Sequence, residues 1–163
     1  MERENIQTEI LFRNIVMNKK IDSISPDVVV SNTSHKLVSN EFVKNGLRII
    51  LKVPSLGCSL CYESELEVLE QVANDIGQGV LVLTDYRSPR EMEILKKKYD
   101  ENLTFMNISS GYLAKELDLL YIPYYLELGD SIDVKTVFIP DRNFKELSKY
   151  YLTRVLGAKN MNE

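Results

Sequence analysis

Cysteine is scarce in this chain, with two in 163 residues, while histidine occurs once and tryptophan is absent. Two cysteines rule out a multi-disulfide framework. Set three positions apart as Cys58 and Cys61, they act together or not at all. A closed zinc site takes four ligands, and His35 is the one further residue of the right type, so no metal is expected. His35 reads as a polar turn or edge-strand residue, and zinc shared across a dimer is the contrived alternative. Positive charge is also short: 20 basic residues face 24 acidic ones, giving a net charge of -4 and a pI near 5.2. That balance lacks the basic footprint of nucleic-acid binding. No apolar run approaches the length needed to cross a bilayer, and Met1-Glu2-Arg3-Glu4 leads into no signal-type segment, so no membrane span is expected. With 44% hydrophobic residues, the chain can bury one sizeable core.

The chain is organised around Leu47 to Ile76. Leu47 to Val53 reads as a buried strand, Pro54 and Gly57 as a kink, and Cys58-Ser59-Leu60-Cys61 as the opening of a helix. A helix N-terminus has unpaired N–H groups and the positive end of a dipole, both of which favour thiolate over thiol. In this helix Leu66, Leu69, Val72, Ala73 and Ile76 form an apolar stripe, which Gly77 and Gly79 are expected to close. Glu63, Glu65, Glu67 and Glu70 lie mostly off it and read as a solvated face, with an acidic docking surface as the alternative.

Upstream, Ile6, Ile10, Leu11 and Ile15 make a weak helical stripe, read as a peripheral helix that Ser25-Pro26 breaks. Asp27 to Ser31 and His35 to Ser39 are expected to be strands, and Ser39-Asn40 to cap a short helix over Glu41 to Asn45. Downstream, Val80 to Thr84 has the continuous apolar character of a buried parallel strand. Ser88-Pro89-Arg90-Glu91 is a capping box that launches a helix through about Lys98. Leu103 to Ile108 is expected to be a strand and Ser109-Ser110 to start a helix through Leu119. Ile122 to Leu128 and Asp133 to Ile139 should pair antiparallel across Gly129-Asp130-Ser131. A last helix carries Phe144, Leu147, Tyr151 and Val155 on one side, with Gly157 after it. The pattern implies an α/β fold with a central mixed sheet flanked by helices. Ligands of such sheets gather at the carboxyl ends of strands, where Cys58 lies.

The order strand, Cys-x-x-Cys, helix, strand, helix, then Ile122-Pro123 opening a hairpin and a final helix, resembles the thioredoxin-like fold. The strand and helix over Leu103 to Leu119 are similar to the insertion that marks the TlpA/ResA-like subgroup and the peroxiredoxins. The resemblance divides the chain into an N-terminal extension (1–25), a thioredoxin-like domain (26–157) and a tail (158–163). It implies a thiol–disulfide oxidoreductase with Cys58 as nucleophile and Cys61 as resolving cysteine. It also implies a cis Ile122–Pro123 bond, and a substrate site built from Ile122, Pro123, Gly57, Ser59 and Leu60. The redox-active cysteine pair needs no further cofactor. The implied partners are protein thiols and disulfides, together with an upstream electron donor or acceptor. Relatives of this subgroup work in the bacterial cell envelope behind a signal or anchor, so the envelope is expected ahead of the cytoplasm, with the anchor absent from this chain.

Four positions depart from the family pattern. Gly57 stands where many relatives have tryptophan, and Ser59-Leu60 replaces Gly-Pro between the cysteines. Lys52 occupies the position of a buried acid, and its expected arrangement is a stem packed in the sheet with the ammonium reaching solvent. Two other readings stay open. One is a binding module without redox turnover, which would use Tyr62, Tyr121, Tyr124 and Tyr125. The other is a peroxiredoxin-type thiol peroxidase, for which neither Arg142 nor Arg154 is obviously placed to polarise a peroxide.

Overall fold

The computed structural model describes residues 2–76, 79–99 and 103–160. Helix α1 (Glu2–Lys20) precedes strands β1 (Val29–Ser31) and β2 (Lys36–Val38), two 3-10 turns, and strand β3 (Ile49–Val53). Then come α2 (Ser59–Ile76), β4 (Val80–Thr84), α3 (Pro89–Lys96), β5 (Thr104–Ile108) and α4 (Lys115–Asp118). Strands β6 (Tyr124–Leu128) and β7 (Val134–Phe138) and helix α5 (Lys145–Asn160) complete the order. The strands form one mixed sheet in the order β2-β1-β5-β4-β3-β6-β7. Strands β3, β4 and β5 are parallel neighbours, as crossover helices α2 and α3 require, and the outer pairings are antiparallel.

Alternation along the central strands divides the core in two. Ile50, Leu81, Leu83, Tyr124 and Leu126 pack on one face against Ile24, Phe42, Leu113 and Leu117. Ile49, Leu51, Val53, Val82 and Tyr125 pack on the other against Leu66 and Leu69 of α2, Met92 of α3 and Leu152 of α5. With both faces covered, β3 and β4 are buried at every position, which matches their continuous apolar sequence.

The strand pair at β1 and β2, the Ser88 capping box and the β6–β7 hairpin are as expected. The segment after β5 differs. A helix was expected from Ser109, but α4 covers only Lys115–Asp118, because Gly111 takes a left-handed φ of 85° and the Asp118 carboxylate binds the N–H groups of Leu113 and Ala114. The expected helix over Glu41 to Asn45 is two 3-10 turns, Ser39–Glu41 and Val43–Asn45, ended by Gly46 at φ 78°. Helix α5 continues through Gly157 to Asn160. Gly77 and tail residues 161–163 lie outside the described residues.

Helix α1 is joined to the free edge of β7 by two asparagines one turn apart. Asn14 Oδ1 accepts the Ile139 N–H at 2.5 Å and its Nδ2 donates to the Ile139 carbonyl at 3.3 Å. Asn18 makes the same pair of bonds to Val137, both at 2.7 Å. Each side-chain amide thus stands in for a strand residue and satisfies backbone groups that an edge would leave open.

Candidate active site

Strand β3 ends at Pro54, and the loop after it is held by the Ser55 N–H, which donates to Asp85 Oδ1 at 2.6 Å. Gly57 follows with φ 113°, and a Cβ there would run into the Tyr121 carbonyl oxygen. Glycine is therefore required twice, for the dihedral and for the close approach of the loop before Pro123. Tyr121 itself has φ 53°, rare for a side-chain-bearing residue. Cys58 is next, its carbonyl accepting the Cys61 N–H at 3.1 Å as α2 begins.

Cys58 and Cys61 form a disulfide with Cα atoms 5.3 Å apart. Cys58 is exposed and Cys61 half-buried. Both line a cavity of about 350 Å³ together with Ile122 and Pro123. The expected proximity of the Ile-Pro loop to the cysteines is therefore present. The expected cis bond is not: Ile122–Pro123 is trans, since the described residues contain no cis peptide. Gly57, Ser59 and Leu60 do not line this cavity but occupy the exposed loop and first turn beside it. Leu56, Leu60 and Tyr121 give that rim an exposed apolar character.

Two arginines complete the cavity. Arg13 reaches it from α1 and Arg142 from the loop between β7 and α5, next to Asp141. Arg142 had no obvious place near the sulfurs in the sequence, and the structure puts it in the lining of their cavity. Arg13 was missed altogether; the available signal was its position three residues after Ile10 on the buried side of α1.

Lys52 does not reach solvent as expected. Its side chain is 2% exposed, and Nζ lies 2.8 Å from Asp85 Oδ2 and 3.3 Å from Asp118 Oδ1. The position forbids snorkelling because the β3 face carrying Lys52 is covered by the Leu113–Leu117 segment, so two carboxylates supply the compensation instead of water. Asp118 also accepts the Tyr124 hydroxyl at 2.7 Å. The cluster thus joins the cysteine loop, through Asp85 and Ser55, to the segment leading into Pro123. Burial pushes the Asp85 carboxyl up, but the Lys52 charge and the bonds from Lys52 and Ser55 outweigh it and hold it below the ordinary 3.8.

Glu65, expected on a solvated face, is buried one turn after Cys61. It accepts the Tyr125 hydroxyl at 2.8 Å and the Ser148 hydroxyl at 3.0 Å. Burial raises its carboxyl from 4.5 to about 7, although the two hydroxyls and Lys145 pull it down and Asp141 adds to the rise. Glu67 is exposed and Glu63 and Glu70 half-buried. Of the tyrosines weighed as recognition residues, Tyr124 and Tyr125 are wholly buried, Tyr62 is half-buried against the core, and Tyr121 is exposed. His35 sits exposed at the β1–β2 turn, its N–H donated to Asn32 Oδ1.

No protein-family model and no curated protein matches this sequence. Solved structures do match in fold. A Chlorobium tepidum protein described as a thiol:disulfide interchange protein, DsbE, aligns with a TM-score of 0.61 at 11% identity, over 83% of this chain and 97% of that one. A Bacteroides vulgatus protein described as a thiol-disulfide oxidoreductase gives 0.56 at 14% identity, over 84% and 99%. The exposed lipoprotein thioredoxin of Streptococcus pneumoniae gives 0.50 at 16% identity, over 77% and 99%. The fold is thioredoxin-like.

Proposed function

We propose that this protein is a thiol–disulfide oxidoreductase acting on protein disulfides, with Cys58 as nucleophile and Cys61 as resolving cysteine. The observation that carries the reading is the Cys58–Cys61 disulfide at the start of α2, with the more exposed cysteine first and the Ile122-Pro123 loop lining the same cavity. The likeness to solved interchange proteins supports it as a likeness of fold.

In the reduced protein the α2 N-terminus favours the Cys58 thiolate. This thiolate attacks one sulfur of a substrate disulfide, whose S–S bond breaks as the other sulfur leaves as a thiolate and takes up a proton. Cys61, once deprotonated, attacks Cys58 in the mixed disulfide, so the second substrate thiol is released and the Cys58–Cys61 disulfide forms. Two electrons have passed to the substrate, and an upstream dithiol returns them to the pair. Ile122 and Pro123 form the wall along which an extended substrate segment lies, and Gly57, Ser59 and Leu60 form the rim. No cofactor beyond the cysteine pair is used.

The test is a pair of variants incubated with a disulfide-bonded protein substrate. Cys58→Ser abolishes exchange, and Cys61→Ser accumulates a mixed disulfide visible by non-reducing electrophoresis and mass spectrometry. Unchanged exchange in both variants contradicts the mechanism, and a disulfide inert to reductants transfers the fold to a binding role.

One observation favours a second reading, thiol peroxidase: Arg13 and Arg142 line the same cavity as the two cysteines. It would require Cys61, half-buried, to be the peroxidatic sulfur, with Cys58 where that chemistry uses threonine. Dithiol-dependent consumption of hydrogen peroxide that survives Cys58→Ser would establish it. We place the protein in the bacterial cell envelope, a reading supported by the fold it shares with an exposed lipoprotein thioredoxin and tested by fractionation of the producing cell.

A further inference from the structure

We propose that the groove running from the Cys58–Cys61 disulfide to α1 accepts a substrate segment with an acidic residue beside its reacting cysteine, recognised by Arg13 and Arg142. This rests on the redox reading above and names the substrate class of the same site.

A second cavity of about 370 Å³ lies next to the one holding the two sulfurs, along α1, with Arg13 and Asp141 lining both. Ile6, Ile10 and Phe12 give the second cavity an apolar wall, with Glu9 beside them. A segment lying across Ile122 and Pro123 shares its cavity with both arginines.

Arg142 is exposed, and among the described residues the Arg13 guanidinium is poorly committed elsewhere. Arg13 Nε is buried with no hydrogen-bond partner, and Arg13 Nη2 makes a single long bond, 3.4 Å, to the Ile139 carbonyl. Neither arginine forms an ion pair among the described residues. In the cavity that holds the sulfurs, Asp141, which accepts the Asn143 N–H at 2.9 Å, is the one carboxylate beside two arginines, and Glu9 lines the neighbouring cavity along α1, so the positive excess belongs to the first cavity alone. An unpartnered guanidinium N–H is a donor awaiting an acceptor, and a carboxylate satisfies it with charge assistance. The whole chain, by contrast, carries -4. Long-range attraction would favour basic substrates, so the Arg13–Arg142 pair acts against the molecule's own field and serves as a filter.

Placement of Arg13 is built into the fold. Asn14, its neighbour, is bonded to both backbone groups of Ile139, and Pro140 to Asn143 follow directly on the far wall of the cavity. The docking of α1 on β7 therefore fixes both arginines relative to the sulfurs.

The test uses two synthetic peptides with one cysteine each, held as a mixed disulfide with mercaptoethanol and differing only in glutamate or lysine on both sides of that cysteine. Reduced protein, with a dithiol supplying two electrons per turnover, should reduce the glutamate peptide with a kcat/KM about five- to tenfold higher at low salt, with the ratio shrinking as salt is added. Arg13→Glu and Arg142→Glu should each reverse the preference toward the lysine peptide, which mere loss of structure would not do. Equal rates on both peptides, or a preference that survives both reversals, overturns the proposal.

A neutral substrate, bis(2-hydroxyethyl) disulfide, separates this from the redox reading. If neither it nor the peptides are reduced, the redox reading falls. The groove is then decided by fluorescence anisotropy with serine in place of the peptide cysteine: tighter binding of the glutamate peptide supports it, and equal binding overturns it.

Discussion

Two buried ionisable side chains, Lys52 and Glu65, sit where the apolar pattern around them predicts none, and their surroundings make stability depend on pH in opposite directions. Lys52 lies between Asp85 and Asp118, and removing its charge leaves the Asp118 carboxylate, 5% exposed, without a cation. Breaking a buried pair from one side costs roughly 3–5 kcal/mol. Lys52→Met should lose stability of that order at neutral pH by denaturant unfolding. Asp85 has its carboxyl held below 3.8, so the stability it contributes is present above that value and lost as pH falls through its folded value. The deficit of Lys52→Met should therefore shrink in acid. A deficit that is small, or the same at every pH, would place the ammonium in solvent.

Glu65 has the opposite sign. Its carboxyl titrates near 7 in the folded protein against 4.5 ordinarily, so the folded state retains a proton that the unfolded chain has released. Stability should fall as pH rises from about 4.5 to about 7 and stay reduced above, by on the order of 3 kcal/mol. Glu65→Gln keeps partners for Tyr125 and Ser148 without the charge, and should flatten this slope and raise the melting temperature at pH 8. An unchanged slope would show that Glu65 is not its source. Neither residue was legible in sequence. Lys52 and Asp85 are 33 positions apart and meet only because β3 and β4 are neighbours. Glu65 falls beside the α2 stripe, yet α2 is covered by α5 as well as by the sheet, which widens its buried sector beyond the stripe.

At the scale of elements, sequence was most informative where chain-local chemistry decides the outcome. Ser88, Pro89 and Glu91 encode the start of α3, and the continuous apolar run of β4 encodes a strand with two covered faces. It was less informative where a side chain took over a backbone role, as Asp118 does in binding the N–H groups of Leu113 and Ala114 in place of a longer helix. Helix α1 belongs to the same class. Its apolar stripe is weak because Asn14 and Asn18, rather than a hydrophobic seam, join it to β7. Replacing both asparagines with alanine should free α1 from the sheet edge, with faster hydrogen exchange at the Val137 and Ile139 amides and a loss of about 2–6 kcal/mol, counting four bonds at their usual net value. Unaltered exchange at those amides would mean that apolar packing alone holds the helix.

At the scale of the whole molecule, the fold brings three segments far apart in sequence to one mouth: the cysteine loop at the end of β3, the Ile122-Pro123 loop before β6, and the α1–β7 junction carrying Arg13 and Arg142. The first two were legible because a cysteine pair at a strand-to-helix junction and a proline opening a hairpin are each encoded by adjacent residues. The third was not, since it depends on a helix crossing back to the last strand. The central claim is that the cysteine pair turns over. Its most direct test is the reduction potential of the Cys58–Cys61 couple, from equilibration with glutathione and with a stronger dithiol at known ratios. A reversible potential between roughly -120 and -270 mV, the span of known exchange proteins, is the predicted result. A disulfide that never forms under glutathione, or one that resists both reductants, would contradict it.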